Sequence, residues 1–210
     1  MLGKQKRMWY NFAMDKSKSK NLTKDITRIA LFVALMIVFT LYVSIPFFPV
    51  PLTFQTVICV CAGLFLGKRK GAISMAIYLF MGLVCHLPVF SGATGGFSSV
   101  FKPSFGYIIG FVLAAYAAGA VRGDRNASTK RYILAAAVGF ACCYAVGIPY
   151  FAIIWKFYLG KADILPAIIS YNVLYMPKDI ALCVLAALVA KRIVPVIFRD
   201  KDASPVTKTL

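Results

Sequence analysis

Polar side chains follow three prolines that interrupt an otherwise apolar chain. The three groups are Thr53 and Gln55 after Pro51, Ser104 and Tyr107 after Pro103, and Lys178 and Asp179 after Pro177. Proline is best tolerated in the first turn of a helix, so we expect each group at a helix start. The first backbone amides of a helix are unpaired and carry partial positive charge. The pattern therefore predicts three polar helix starts at one level of the protein.

Asp179 is the one acidic residue inside the apolar segment that follows Asp163. It either accepts hydrogen bonds from a ligand or is a helix-start carboxylate that the helix dipole stabilises. Gln55 either contacts a ligand or makes a hydrogen bond between helices. For Thr94 and Tyr107, packing or loop capping is an equal alternative to ligand contact. These four side chains are the first candidates for a binding site.

The segment 91–111, SGATGGFSSVFKPSFGYIIGF, places three glycines shortly before an apolar run. A glycine-rich loop that leads into a helix can bind a nucleotide phosphate. The segment lacks the G-x-x-x-x-G-K-[ST] order, however, and no predicted strand precedes it. The chain also has no paired carboxylates, no Ser/His/Asp set and no cluster of metal-binding residues in its sequence. We therefore predict neither an enzyme nor a protein that needs a cofactor or a metal.

The composition indicates an integral membrane protein. Hydrophobic residues make up 60% of the 210 residues, whereas soluble domains have about 45–50%. The 24 lysines and arginines outnumber 7 acidic residues, but they stand in short clusters between long apolar runs. That pattern is typical of cytoplasmic loops and of contact with membrane lipid, not of binding to nucleic acid. Lys102 and Lys178 then either contact a ligand carboxylate or extend to the outer membrane interface.

The apolar runs predict an all-α bundle of six transmembrane helices. They cover about 29–45, 53–66, 72–87, 105–121 and 132–154, followed by 164–176 between two prolines and a last run to Ala190. Basic clusters alternate with loops that hold few basic residues, so six spans with both termini cytoplasmic satisfy the positive-inside rule. We predict a basic cytoplasmic tail at 1–28, a six-helix substrate-binding domain at 29–192 and a cytoplasmic tail at 193–210.

Four segments together point to a known family. They are PFFPVPLTFQT (46–56), AGLFLGKRKGAISMAIYLFMGLVCHLPVF (62–90), GATGGFSSVFKPSFGYIIGF (92–111) and MPKDIALCVLAALVA (176–190). Over roughly residues 25–192 the chain resembles BioY, the biotin-binding S component of energy-coupling factor transporters. The resemblance implies a multi-pass protein of the cell membrane that captures biotin from outside. The implied partners are a transmembrane coupling subunit and two cytoplasmic ATPase subunits.

The resemblance also implies roles for the candidate residues. Biotin has a ureido ring with two N–H donors and a carbonyl, a thioether ring, and a carboxylate on an aliphatic chain. Asp179 would accept from the ureido N–H groups, and Gln55 would hydrogen-bond to the same ring. A lysine, Lys102 or Lys178, would meet the carboxylate. The apolar part of the ligand would lie among aromatic side chains, namely Phe90, Phe97, Phe101 and Tyr107.

Two positions depart from the pattern of the family. Phe105 stands where the family often has a glycine at a helix start. In the last segment Lys178 precedes Asp179, and Leu182 stands where the family has a lysine one turn later. Which lysine meets the ligand carboxylate is therefore left open by the sequence.

The first span begins TRIALFVALMIV, which places Ala30 and Ala34 on one face of a helix. Small residues at this spacing allow another helix to approach closely. The resemblance implies that S components dock on the coupling subunit through such a patch, and packing inside the bundle is the alternative. Two other functions are kept as alternatives: an S component for a different vitamin, and an ion-coupled secondary transporter. The second would need buried acids for a proton relay, and a single aspartate gives it little support.

Overall fold

The computed structural model describes residues 2–43, 53–173 and 175–198, and most of these residues are helical. The α-helices are α1 (Leu2–Tyr42), α2 (Gln55–Leu66), α3 (Lys68–Leu83), α4 (Phe105–Arg122), α5 (Thr129–Ile153), α6 (Ile164–Ile168) and α7 (Met176–Ile197). A 3-10 helix covers Phe97–Phe101, and π-helical turns follow α5 (Ile154–Tyr158) and α6 (Ile169–Val173). No strand occurs within the described ranges.

The predicted all-α bundle of six membrane helices is confirmed, with α6 and α7 as two parts of one segment. Four segments of the described chain are long and apolar enough to cross a membrane: Leu22–Tyr42, Phe105–Arg122, Thr129–Tyr158 and Ile164–Ile197. Helix α2 has 12 residues and α3 has 16, fewer than the roughly 20 of a full span. They meet at Gly67, whose φ of +84° is accessible to glycine at no steric cost.

The first helix is longer than the first apolar run. It begins at Leu2, so the basic segment and the apolar run form one continuous helix. No proline or glycine interrupts residues 4–42, and the residues that break helices most strongly are therefore missing there. Pro51, the loop 46–51 and the end of the chain from residue 199 lie outside the described residues. The boundaries of the three predicted regions stay a prediction.

Small residues bring α4 close to its neighbours in the bundle. A Cβ atom on Gly63 of α2 would lie 2.3 Å from the carbonyl oxygen of Ala115 on α4. One on Gly110 of α4 would lie 2.8 Å from the carbonyl oxygen of Cys143 on α5. Backbones approach this closely only where a side chain is missing, which is how membrane helices often pack. Helix α4 is therefore held firmly between α2 and α5.

The glycine-rich segment between α3 and α4 is a compact turn. Phe90 and Thr94 exchange two backbone hydrogen bonds, of 2.9 and 3.2 Å, and Gly92 between them has a φ of +76°. The amide of Gly96 donates to the carbonyl of Gly82 at 2.7 Å, which ties the turn to the end of α3. These contacts fix where the side chains of Phe90 and Thr94 lie.

A second, smaller hydrophobic cluster packs the segment between α5 and α7. Its buried members are Phe151, Trp155 and Ala167, and Tyr171 and Tyr175 pack against them. The main core lies between α1, α2, α3, α4, α5 and α7 and does not include these residues. Tyr171 and Tyr175 are therefore positioned by this second cluster.

Candidate substrate-binding cavity

A cavity of about 690 Å³, measured together with its open mouth, lies at the starts of α2, α4 and α7. The six polar residues of the three helix starts all line it: Thr53, Gln55, Ser104, Tyr107, Lys178 and Asp179. Phe90, Thr94 and Lys102 line it too, so all seven predicted binding residues share one cavity. Their part in binding a ligand stays a prediction.

Gln55 connects helices as well as lining the cavity. Its Nε2 donates to Oγ1 of Thr40 at 2.8 Å and to the hydroxyl of Tyr78 at 2.9 Å. The Tyr78 hydroxyl in turn donates to the carbonyl of Val89 at 3.1 Å. This network joins α1, α2, α3 and the turn that follows α3. The interhelical hydrogen bond, one of the two predicted roles of Gln55, is thus present in the structure.

Asp179 is 4% exposed and uses its two carboxylate oxygens differently. Oδ2 accepts a hydrogen bond from the hydroxyl of Tyr144 at 2.9 Å. Oδ1 lies 2.9 Å from Nζ of Lys178 in an ion pair and has no other polar partner among the described residues. Nζ of Lys178 also donates to the carbonyl of Thr53 at 2.6 Å. The ion pair balances the charge of Asp179 and leaves Oδ1 able to accept from a ligand.

The second lysine of the cavity, Lys102, differs from Lys178 in its partners. Nζ of Lys102 donates to Oγ1 of Thr94 at 2.9 Å, and Oγ1 of Thr94 donates to the carbonyl of Ser91 at 3.1 Å. In the part of the chain that the structure describes, no carboxylate lies within ion-pair distance of Lys102. Partial burial lowers the pKa of Lys102 by desolvation of its charged form. Of the two lysines, Lys102 is therefore the one available to an anionic group.

Further polar residues line this cavity that sequence reasoning missed, among them Ser99, Tyr144 and Asn172. Asn172 is 1% exposed and accepts a hydrogen bond at Oδ1 from the hydroxyl of Tyr107. Oγ of Ser99 and Nδ2 of Asn172 have no hydrogen-bond partner among the described residues. An asparagine in an apolar run that spans the membrane is itself a signal, because polar side chains there usually serve a function.

The aromatic wall differs from the expected one. Phe97 and Phe101 lie outside the cavity, with 60% and 51% of their surface exposed, so that part of the prediction is wrong. Both belong to the 3-10 helix, whose turn directs them outward, and Phe101 stacks on Tyr158 with ring centroids 4.9 Å apart. Phe90 and Phe105 line the cavity and pack edge to face at 6.1 Å. Phe105, which stands where the family often has glycine, thus adds an aromatic wall.

The cavity combines a carboxylate with remaining acceptor capacity, a lysine that has no anionic partner among the described residues, and aromatic surface at the membrane-spanning helices. The described residues contain no group of three or more His, Cys, Asp or Glu side chains that could hold a metal. Such an arrangement recognises a small molecule that has polar groups at separate positions on an apolar frame. The fold and the cavity define a membrane-embedded small-molecule-binding protein.

The chain belongs to the BioY family, whose model matches residues 11–199. It is 36% identical over 183 residues to the probable biotin transporter BioY of Lysinibacillus sphaericus. The matched region covers 86% of this chain and 91% of that protein. It is 31% identical over 170 residues to the biotin transporter BioY of Thermotoga maritima, with 81% and 95% covered.

A solved structure has the same fold. The crystal structure of the S-component for biotin from an ECF-type ABC transporter superposes with a TM-score of 0.69 at 26% sequence identity. The match covers 83% of this chain and 92% of that one. The resemblance that the four sequence segments indicated is therefore confirmed.

Proposed function

We propose that this chain captures biotin outside the cell and works as the S component of an energy-coupling factor transporter. The observation that carries the proposal is that one cavity holds two polar groups that can each still bind a ligand. Oδ1 of Asp179 contacts only the ammonium of Lys178 and keeps acceptor capacity, and the ammonium of Lys102 lacks an anionic partner among the described residues. Biotin offers the complement to both, N–H donors on its ureido ring and a carboxylate at the end of its chain. The names of the relatives support the same ligand.

Asp179 and Lys102 define the proposed orientation of biotin in the cavity. The ureido ring is placed at Asp179, where Oδ1 accepts one N–H group. The fused rings and the aliphatic chain lie against Phe90 and Phe105, and the carboxylate meets Lys102. Gln55 stabilises the helices around the site through its hydrogen bonds with Thr40 and Tyr78. Biotin is bound and released unchanged, so the proposed function includes no chemical conversion.

The distribution of basic residues supports a cavity that opens to the outside. Helix α4 starts at the cavity and ends at Arg122, next to the basic loop 122–131. The basic segment 68–70 lies at the end of α2 that is far from the cavity. Basic loops prefer the cytoplasmic side of a membrane. We therefore propose cytoplasmic termini and an outward-facing cavity.

The surface of α1 supports a separate docking site. Ala30 and Ala34 are both exposed, so the bundle itself does not cover this face of α1. A small-residue patch that is free of its own bundle can be approached closely by another helix. We propose that this patch binds the transmembrane coupling subunit. Two cytoplasmic ATPase subunits would supply that subunit with energy. The remaining apolar surface faces membrane lipid.

Equilibrium binding of labelled biotin to the purified chain tests the proposal. Asp179→Asn keeps the shape of the side chain but replaces a charged acceptor by an amide. Charge-assisted hydrogen bonds contribute about 1.5–3 kcal/mol, so the affinity should fall by about tenfold or more. Asp124→Asn is the control, because Asp124 is exposed in the loop between α4 and α5.

Binding and uptake assays together separate the alternative functions. Tight binding of another vitamin in place of biotin would show an S component of different specificity. Uptake in cells that lack the coupling subunit, driven by an ion gradient, would favour a secondary transporter. A folded wild-type chain that does not bind biotin would refute the proposed function.

A further inference from the structure

Two neighbouring tyrosines each donate a hydrogen bond to one side-chain oxygen in the segment 164–197. Tyr107 on α4 donates its hydroxyl proton to Oδ1 of Asn172. Tyr144 on α5 donates to Oδ2 of Asp179 at 2.9 Å. The two rings pack edge to face with centroids 5.5 Å apart. The same aromatic pair therefore orients both Asn172 and Asp179, and all four side chains line the cavity.

The two side chains differ in what their remaining polar atoms contact. Nδ2 of Asn172 is buried and has no hydrogen-bond partner within the described ranges, whereas Oδ1 of Asp179 is buried and contacts only the ammonium of Lys178, at 2.9 Å. A buried polar atom without a partner destabilises the protein, and an ion-paired carboxylate oxygen can still accept a further hydrogen bond. Asn172 also lies in a π-helical turn, Ile169–Val173, a feature often found at functional sites. A bound ligand that offers an acceptor to Nδ2 of Asn172 and a donor to Oδ1 of Asp179 would satisfy both side chains.

We propose that Asn172 is a specificity-determining residue that recognises the carbonyl oxygen of a cyclic urea. Nδ2 of Asn172 donates to that carbonyl, while Oδ1 of Asp179 accepts from the adjacent ring N–H. One donor and one acceptor held by the same tyrosine pair match one N–H/C=O edge of the ring. The proposal rests on the proposed function, since it takes biotin as the ligand, and adds the residue that recognises its carbonyl group.

The chemistry of this pair predicts which analogue is rejected. In 2-iminobiotin a protonated imine replaces the ureido carbonyl at neutral pH, so the ring presents only donors. Nδ2 of Asn172 would then face another donor and a positive charge. A site built to hydrogen-bond one group of a ligand rejects an analogue that lacks it by large factors. Wild-type protein should therefore prefer biotin to 2-iminobiotin, and Asn172 should be a main cause of that preference.

Calorimetric titration of the purified full chain with biotin and with 2-iminobiotin tests this assignment. Asn172→Leu keeps a similar volume and removes the donor. We expect weaker binding of biotin and equal or stronger binding of 2-iminobiotin, so the ratio of the two affinities should fall by about tenfold or more. Ser170→Ala is the matched control, because Ser170 is exposed on the same π-helical turn, and it should leave the ratio unchanged.

The outcomes separate this inference from the proposed function. An equal loss of affinity for both ligands, or no change in either, would overturn the role of Asn172 while wild-type binding of biotin still stands. Failure of the wild type to bind biotin would overturn both. Circular dichroism and gel filtration check that the variant folds. If Asn172→Leu does not fold, Asn172→Ala removes the same donor without filling more space, and the same change in the affinity ratio is expected.

Discussion

Exchange of Lys102 for methionine tests which lysine holds the anionic end of the ligand. Methionine keeps most of the apolar stem and removes the charge. Lys178 already lies 2.9 Å from Oδ1 of Asp179, whereas Lys102 only donates to Oγ1 of Thr94. We therefore expect Lys102→Met to remove recognition of the ligand carboxylate, and biotin affinity to fall while the affinity for neutral biotin amide stays nearly the same.

The size of the effect follows from the environment of Lys102. A hydrogen bond to a charged group contributes about 1.5–3 kcal/mol, which corresponds to about tenfold to 150-fold in Kd. Lys102 is partly exposed, so solvent screens its charge and the lower part of this range applies. We expect a loss of about tenfold for biotin, and less than about threefold for biotin amide, which lacks the charge.

Competition of biotin and biotin amide against labelled biotin on purified protein measures the two effects. Lys178→Met is the comparison variant. It removes the ion-pair partner of Asp179, so both ligands should weaken by a similar factor, because both carry the ureido ring. The reasoning fails if Lys178→Met loses the preference for biotin over its amide while Lys102→Met retains it.

The pH dependence gives an independent check on Lys102. Burial lowers its pKa, so the amine loses its proton at a lower pH than an exposed lysine. The charged form, and with it the preference for biotin over biotin amide, is present below that pKa and lost as the pH rises through it. Titration of the two affinities between neutral and alkaline pH measures this. A preference that is unchanged up to the pH at which the protein unfolds would contradict the assignment.

Three further predictions concern docking, orientation and packing. Ala30→Trp with Ala34→Trp should block biotin uptake and co-purification with the coupling subunit while purified protein still binds biotin; normal uptake would place the docking face elsewhere. In a cysteine-free background, Ser98→Cys should react with an impermeant thiol reagent from outside and Asn126→Cys only after permeabilisation, and the reverse result would invert the proposed orientation. Gly63→Val should destabilise the protein by at least about 1–3 kcal/mol through overpacking, seen as a lower melting temperature in detergent, and an unchanged melting temperature would contradict the close contact of α2 and α4.

Much of the architecture could be predicted from the sequence because membrane helices depend on local properties. Apolar runs between basic clusters determine where helices lie, and the runs at 105–121 and 132–154 agree closely with α4 and α5. Proline followed by polar residues marks a helix start, as Pro177 shows within the first turn of α7. The polar groups that follow the three prolines lie at the starts of α2, α4 and α7, and they all line one cavity.

The outward direction of Phe97 and Phe101 could not be predicted, because it depends on the 3-10 turn that carries them. Sequence spacing indicates that an aromatic residue lies near a site, but the backbone of a loop decides which way it points. The extent of α1 likewise does not follow from the apolar run alone. An uninterrupted helix can extend through polar residues, and α1 begins at Leu2.

The chain by itself determined the class of the protein, the number of helices and the candidate polar residues, since hydrophobicity and helix boundaries are set by near neighbours in sequence. Only the tertiary structure decided how those residues pair. It joined Lys178 with Asp179, gave Lys102 no anionic partner within the described part of the chain, and placed Tyr107 on Asn172, 65 residues away. Which atoms remain free for a ligand depends on contacts between different helices, and such contacts have no counterpart in the spacing of residues along one helix.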